Sequence, residues 1–134
     1  MGADRVIKSS EEDPIEVIMD ETGGQGVDEA LEFSGGEDAL KQALKVLKSA
    51  GHIQILGFYA KPVTIDIDSL TTKGASIHGI HGRRMFEDWY RMQGLFKSGI
   101  NLMPVITHKF PLDDIADAME LMRSGDCGKV ALLP

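Results

Sequence analysis

Apolar runs short enough to be buried strands alternate along this chain with helix-period patterns, and that alternation constrains the fold more tightly than any single motif. Residues 5–8 open with a brief Val-Ile strand signal. Asp13, Pro14 and Glu16 then mark a helix start: an N-cap, a proline at the first helical position and an acid at capping-box spacing. Ile15, Ile18, Met19 and Thr22 line one face, and Gly23-Gly24 stop the helix. Residues 27–33 read as the next strand, with Ser34-Gly35-Gly36 as its exit turn. A helix follows at 37–47, where Leu40, Ala43, Leu44 and Leu47 recur at helical spacing. Ser49-Ala50-Gly51 ends that helix and residues 52–58 form a third strand. Residues 63–67 alternate as a half-buried strand would, and 76–81 form another. This order demands crossover connections and predicts an α/β fold around a mainly parallel sheet.

The period changes at Met85. Phe86, Trp89, Met92 or Gln93, and Phe96 mark a long amphipathic helix ending at Gly99. Residues 104–107 are short and extended. Residues 113–124 form a helix with Ile115, Ala118, Met119 and Met122 on one face and Gly125 as its stop. Residues 130–133 close as a strand with no evident earlier partner. The first strand likewise has no preceding unit, and both features predict a fragment of a larger architecture.

Several function classes are disfavoured by composition. A formal net charge of −7 gains nothing from phosphate backbones or anionic lipid, so neither nucleic acid nor membrane is an expected partner. No apolar run approaches the roughly 20 residues that span a bilayer. Residues 1–8 are too short and too polar for a signal peptide. The single cysteine, Cys127, makes no internal disulfide and fits a reducing cytoplasm.

The glycine-rich stretch Gly23-Gly24-Gln25-Gly26 follows a helix and precedes a strand. A dinucleotide fingerprint needs the opposite context, with a helix N-terminus facing the pyrophosphate, so this stretch reads as a helix stop. Ser34-Gly35-Gly36 has the correct context, leaving a strand and entering a helix at the carboxyl edge of the sheet, where open α/β folds bind ligands. His52, His78, His81 and His108 show no i, i+4 ligand spacing and no cysteine sits near them, so no metal site is expected within the chain. Glu32 stands near the carboxyl end of an apolar strand, either as a catalytic carboxylate or as one satisfied by a neighbouring helix or basic residue. Arg83-Arg84 follow a strand end and a glycine; they are either solvated surface or an anion contact.

The residues then become more specific. Gly26-Val27-Asp28 and Leu31-Glu32-Phe33-Ser34-Gly35 follow the order found in medium-chain dehydrogenases. Leu56-Gly57-Phe58, Val63-Thr64-Ile65-Asp66, Gly79-Ile80-His81-Gly82-Arg83 and Met85-Phe86-Glu87-Asp88-Trp89-Tyr90 resemble the L-threonine 3-dehydrogenase group of the zinc-dependent medium-chain dehydrogenase family. So do Ile106-Thr107-His108-Lys109-Phe110 and Met122-Arg123-Ser124-Gly125 with Gly128-Lys129-Val130. The resemblance runs the length of the chain but covers only the C-terminal part of the family protein.

That resemblance implies the second half of a Rossmann-type NAD-binding domain over residues 1–84. Residues 85–134 would be a connecting helix and the C-terminal helix and strand that return to the catalytic domain. It implies NAD as cofactor, with zinc in the intact enzyme held by ligands upstream of this chain. L-threonine would be the substrate and 2-amino-3-oxobutanoate the product, made by a homo-oligomer that is tetrameric in the family. By the same resemblance Leu56, Gly57, Phe58, Ile80, His81 and Arg83, with Ser34 and Gly35, form the nicotinamide side of the cofactor site, and no catalytic or metal residue lies in the chain. His81 departs from the family's usual threonine or tyrosine, so its backbone carries over better than its side chain. The alternative is a non-catalytic half-Rossmann module for oligomerisation or binding.

Overall fold

The computed structural model describes residues 3–134, which fold as two compact units, one over Asp4–Gly82 and one built on Arg83–Pro134.

In the first unit, α1 (Pro14–Glu21) starts where the local chemistry directs, with Asp13 Oδ1 accepting from the N–H of Ile15 at 2.8 Å. β1 (Val27–Glu32), β2 (Leu47–Ile55) and β3 (Ser76–Gly79) form one parallel sheet in the order β1-β2-β3. Between β1 and β2 runs α2 (Glu37–Val46), which lays Leu40 and Leu44 on Leu47 and Ile53 to make the buried core. Val27, Ala30, Ile55, Leu70 and Ile77 pack around it half-buried. The end of α2 is closed by a side chain from elsewhere: Lys73 Nζ donates to the carbonyls of Leu44 (2.8 Å), Lys45 (2.8 Å) and Leu47 (2.6 Å), oxygens that a helix terminus leaves without partners.

Three sequence expectations change here. Among the described residues, 5–8 join no ladder; a strand exists only by pairing, and the three paired strands described in this unit all lie later in the chain. Arg5 instead pairs with Glu12 and Glu21. Residues 63–67 are not a strand. Val63 and Ile65 do turn inward and Thr64 and Asp66 outward, but Asp66 caps a helix the alternation concealed, α3 (Ile67–Lys73), accepting from the N–H of Ser69 at 3.1 Å. Ser49-Ala50-Gly51 does not separate α2 from a strand; it bulges within β2. One residue lies between Val27 and Glu29 but four between their partners Leu47 and His52, and Ala50 takes φ 59° to fit.

The second unit holds α4 (Glu87–Lys97), a 3-10 turn at Met103–Val105, β4 (Ile106–Pro111), a second 3-10 turn at Leu112–Asp114, α5 (Ile115–Ser124) and β5 (Lys129–Leu133). β5 does have a partner, contrary to the expectation from sequence: it runs parallel to β4. The period-two pattern of β4 is hidden because His108 occupies an inward position between Ile106 and Phe110. A side chain reinforces the pairing, since Thr107 Oγ1 accepts from the N–H of Gly128 at 2.9 Å. Among the described residues of this unit, Ala118 is the buried hydrophobic side chain.

Candidate functional site

The carboxyl ends of β1, β2 and β3 meet at one edge of the Asp4–Gly82 unit, and a single buried residue organises it. Glu32, the last residue of β1, is 4 % exposed. Its Oε1 accepts from the N–H of Ser34 (2.8 Å), the hydroxyl of Ser34 (2.5 Å) and the N–H of Gly35 (2.9 Å). Its Oε2 accepts from the Tyr59 hydroxyl at 2.9 Å. The main-chain carbonyl of the same residue takes the N–H groups of Leu56 (2.8 Å) and Gly57 (3.1 Å). One residue therefore ties the exit of β1 to the exit of β2.

Two glycines let those exits touch. Gly35 sits at φ 69°, and a Cβ there would collide with the carbonyl of Phe58. A Cβ on Gly57 would fall 2.5 Å from Glu32 Oε2 and would also strike the N–H of Gly35. β3 joins through the N–H of Ile80, which donates to the carbonyl of Ile55 at 2.8 Å, and through an edge-on contact between the rings of Phe58 and His81 at 6.0 Å. Phe58 itself is 81 % exposed.

Seven of the expected site residues are thus brought together: Ser34, Gly35, Leu56, Gly57, Phe58, Ile80 and His81. Their roles differ from one another. Ser34 is fully engaged, donating to Glu32 and accepting from the N–H of Gly36 at 3.0 Å. The N–H groups of Leu56, Gly57 and Ile80 are likewise committed to the sheet edge. Among the described residues, the N–H groups of Phe58 and His81 and the carbonyls of Leu56 and Ile80 have no internal partner, so these are the main-chain groups free to meet a ligand. Arg83 belongs to the other unit. There its guanidinium carbon lies 5.4 Å from the centroid of the Trp89 ring, while Arg84 pairs with Glu87 at 3.3 Å.

The electrostatics of Glu32 follow from its partners. Burial pushes its carboxyl up, but the bonds from the Ser34 and Tyr59 hydroxyls and from the N–H groups of Ser34 and Gly35 outweigh it and hold the carboxyl below its ordinary value. For Tyr59, burial, then the bond to Glu32 and its charge, push the phenol up to about 12. Of the two sequence readings of Glu32, the satisfied carboxylate is the one observed, with hydroxyls and turn N–H groups as partners in place of a basic residue. Tyr59 is absent from the residues expected at this site. The only signal for it is a tyrosine directly after Gly57-Phe58, at the exit of one strand, where a carboxylate at the exit of the neighbouring strand needs a donor.

Among the described residues no three His, Cys, Asp or Glu side chains are grouped to hold a metal ion, so they do not fit a zinc site. Nor is any helix among them long and apolar enough to cross a membrane.

Comparison with known proteins gives a consistent picture. Residues 1–98 match the family described as zinc-binding dehydrogenase. The chain is 46% identical over its whole length to an L-threonine 3-dehydrogenase of Caldanaerobacter subterraneus subsp. tengcongensis, of which it covers 40%. It is 45% identical to an L-threonine 3-dehydrogenase of Thermococcus kodakarensis, of which it covers 39%. The chain therefore spans about two fifths of the length of these curated relatives. Among solved structures, an alcohol dehydrogenase of Thermotoga maritima matches with a TM-score of 0.84 and 29% identity, over 99% of this chain and 38% of that one. A 2R,3R-butanediol dehydrogenase of Bacillus subtilis matches with a TM-score of 0.82 and 28% identity, over 99% of this chain and 38% of that one.

Proposed function

The chain belongs to the zinc-binding dehydrogenase family, and on that premise we propose that it is a segment of an NAD-dependent oxidoreductase acting on the secondary alcohol of L-threonine to give 2-amino-3-oxobutanoate. The carboxyl edge of its three-stranded sheet forms the nicotinamide side of the cofactor site in this reading. The observation that carries it is the convergence of residues 56–58 and 80–81 at one strand-end edge, with main-chain groups left open there. The substrate assignment is supported by the relatives at 46% and 45% identity, both L-threonine 3-dehydrogenases.

NAD, when bound, supplies the hydride acceptor. The chain's own residues bind and orient. The carbonyls of Leu56 and Ile80 would accept from the cofactor's carboxamide, and the N–H groups of Phe58 and His81 would donate to it. The exposed Phe58 ring, edge-on to His81, would shield that edge from water once a cofactor covers it. Holding the cofactor in one orientation is the contribution such a wall makes to rate.

The complete gene product that carries this chain is expected to reduce NAD with L-threonine in preference to 2,3-butanediol or benzyl alcohol. Preference for either of those alcohols would overturn the substrate assignment. Failure to bind NAD at all would overturn the reading of the strand-end edge.

A further inference from the structure

Glu32 is unusual among the acids of this chain. It is buried, and its four side-chain hydrogen bonds come from neutral donors: two main-chain N–H groups and two hydroxyls. The ion pairs of the same unit are all exposed or half-exposed and involve other acids: Arg5 with Glu12 and Glu21, Lys8 with Glu11, Lys41 with Glu37, and Lys48 with Asp28. Oε1 of Glu32 accepts three of its four side-chain hydrogen bonds and Oε2 one, so its neighbours are arranged to meet the ionised carboxylate. Neutral donors stabilise the charge without cancelling it, and a low-dielectric surrounding lets its field reach further than it would in water. The charge lies directly behind the strand-end edge, since the same residue's main-chain carbonyl takes the N–H groups of Leu56 and Gly57.

Taking the edge as the nicotinamide side, we infer that Glu32 is a positioning residue for the cofactor: it fixes the 56–59 loop through its carbonyl and Tyr59, and its uncompensated negative charge favours the oxidised, cationic nicotinamide ring over the neutral reduced one. The two effects separate. Loop positioning acts on both redox forms alike, whereas a fixed negative charge discriminates between a ring that carries +1 and one that carries none. Tyr59 contributes to the first effect only, since it is neutral, with its phenol pushed up to about 12.

The test uses the complete gene product and equilibrium binding of NAD and NADH, measured separately by calorimetry or by quenching of protein fluorescence. Glu32→Gln keeps the shape and removes the charge. It is expected to weaken NAD by about tenfold while weakening NADH much less, as loss of an interaction with a charged group would. Tyr59→Phe keeps the charge and removes one donor, and is expected to weaken both forms by the same modest factor, leaving their ratio unchanged. Equal loss of both forms in Glu32→Gln would overturn the charge assignment, and no loss of either form would overturn the whole inference. Should Glu32→Gln fail to fold, Ser34→Ala and Tyr59→Phe still decide the loop role, because unchanged binding of both forms in both variants overturns it. If the unsubstituted protein binds neither NAD nor NADH, the reading of the edge as a cofactor site falls first, which is a different result from any shift in ratio.

Discussion

In the Asp4–Gly82 unit, α2 turns Leu40 and Leu44 onto Leu47 and Ile53, and all four are buried. In the Arg83–Pro134 unit, α4 carries Trp89, Met92 and Phe96 at the same kind of spacing, and all three are exposed. The helices are alike in pattern; the difference is what faces them. α2 lies against a three-stranded parallel sheet that supplies the second layer of a core. Among the described residues of its own unit α4 has no such layer; the sheet there is the two-stranded pair β4-β5. Periodicity in a sequence thus specifies a helix and the face it would bury, while burial itself depends on a partner surface the helix cannot encode.

The largest expected effect concerns chemistry. The 134-residue chain alone is expected to form no detectable NADH from L-threonine, NAD and added zinc. Spectrophotometric assay of the purified chain checks this, and turnover near that of the complete gene product would mean that these two units suffice for the reaction. Next comes stability. Ile53, 0 % exposed, sits where truncation leaves a cavity, so Ile53→Ala is expected to cost about 2–5 kcal/mol. Leu95 on α4, 53 % exposed, should cost under about 1 kcal/mol on the same change. Urea denaturation of each variant measures both, and equal costs would break the contrast by showing that the α4 face is covered.

The third effect falls on Arg83. Arg83→Ala in the complete gene product is expected to raise the NAD dissociation constant by roughly tenfold, as loss of a charge-assisted bond would. Arg84→Ala should do little, because its exposed pairs with Glu87 and Asp88 are of a kind worth about 0–1 kcal/mol. Equal small effects would leave Arg83 as the cation resting on Trp89 and nothing more.

The smallest effect is one of pH and falls on the first unit. The carboxyl of Glu32 is held below its ordinary value in the fold, so its contribution is present above the unfolded value and is lost as pH falls through the depressed one. Tyr59 titrates the other way: its contribution is present below the usual phenol value of 10.0 and is lost as pH rises through about 12. Stability of the unsubstituted chain should therefore fall more steeply in acid than that of Glu32→Gln. Parallel acid profiles from circular dichroism would contradict this.

Much of the fold is legible in the sequence because it is locally determined. Asp13 with Pro14 announces α1, Ser34-Gly35-Gly36 announces the exit of β1, and Gly99 and Gly125 mark where α4 and α5 stop. What the residues hide is decided by pairing or by competition. Residues 5–8 have strand-forming side chains but, among the described residues, no strand beside them. Residues 63–67 alternate correctly, yet Asp66 is a better cap than Ile67 is a strand residue. β4 and β5 find each other across a helix, and His108 in an inward position disguises the pattern. At the site, the strand-end residues are readable as positions on an edge, but the network behind them is not. Tyr59 meets Glu32 across 27 residues of sequence, and nothing in either neighbourhood specifies the other.

Lys73 carries a consequence outside stability and binding. Its ammonium donates all three of its N–H groups, to the carbonyls of Leu44, Lys45 and Leu47. An amine held this way has no lone pair to offer an electrophile until it leaves the end of α2. Acylating reagents should therefore modify exposed lysines such as Lys61 and Lys97 while sparing Lys73, and the appearance of label on Lys73 becomes a clock for the opening of that helix end.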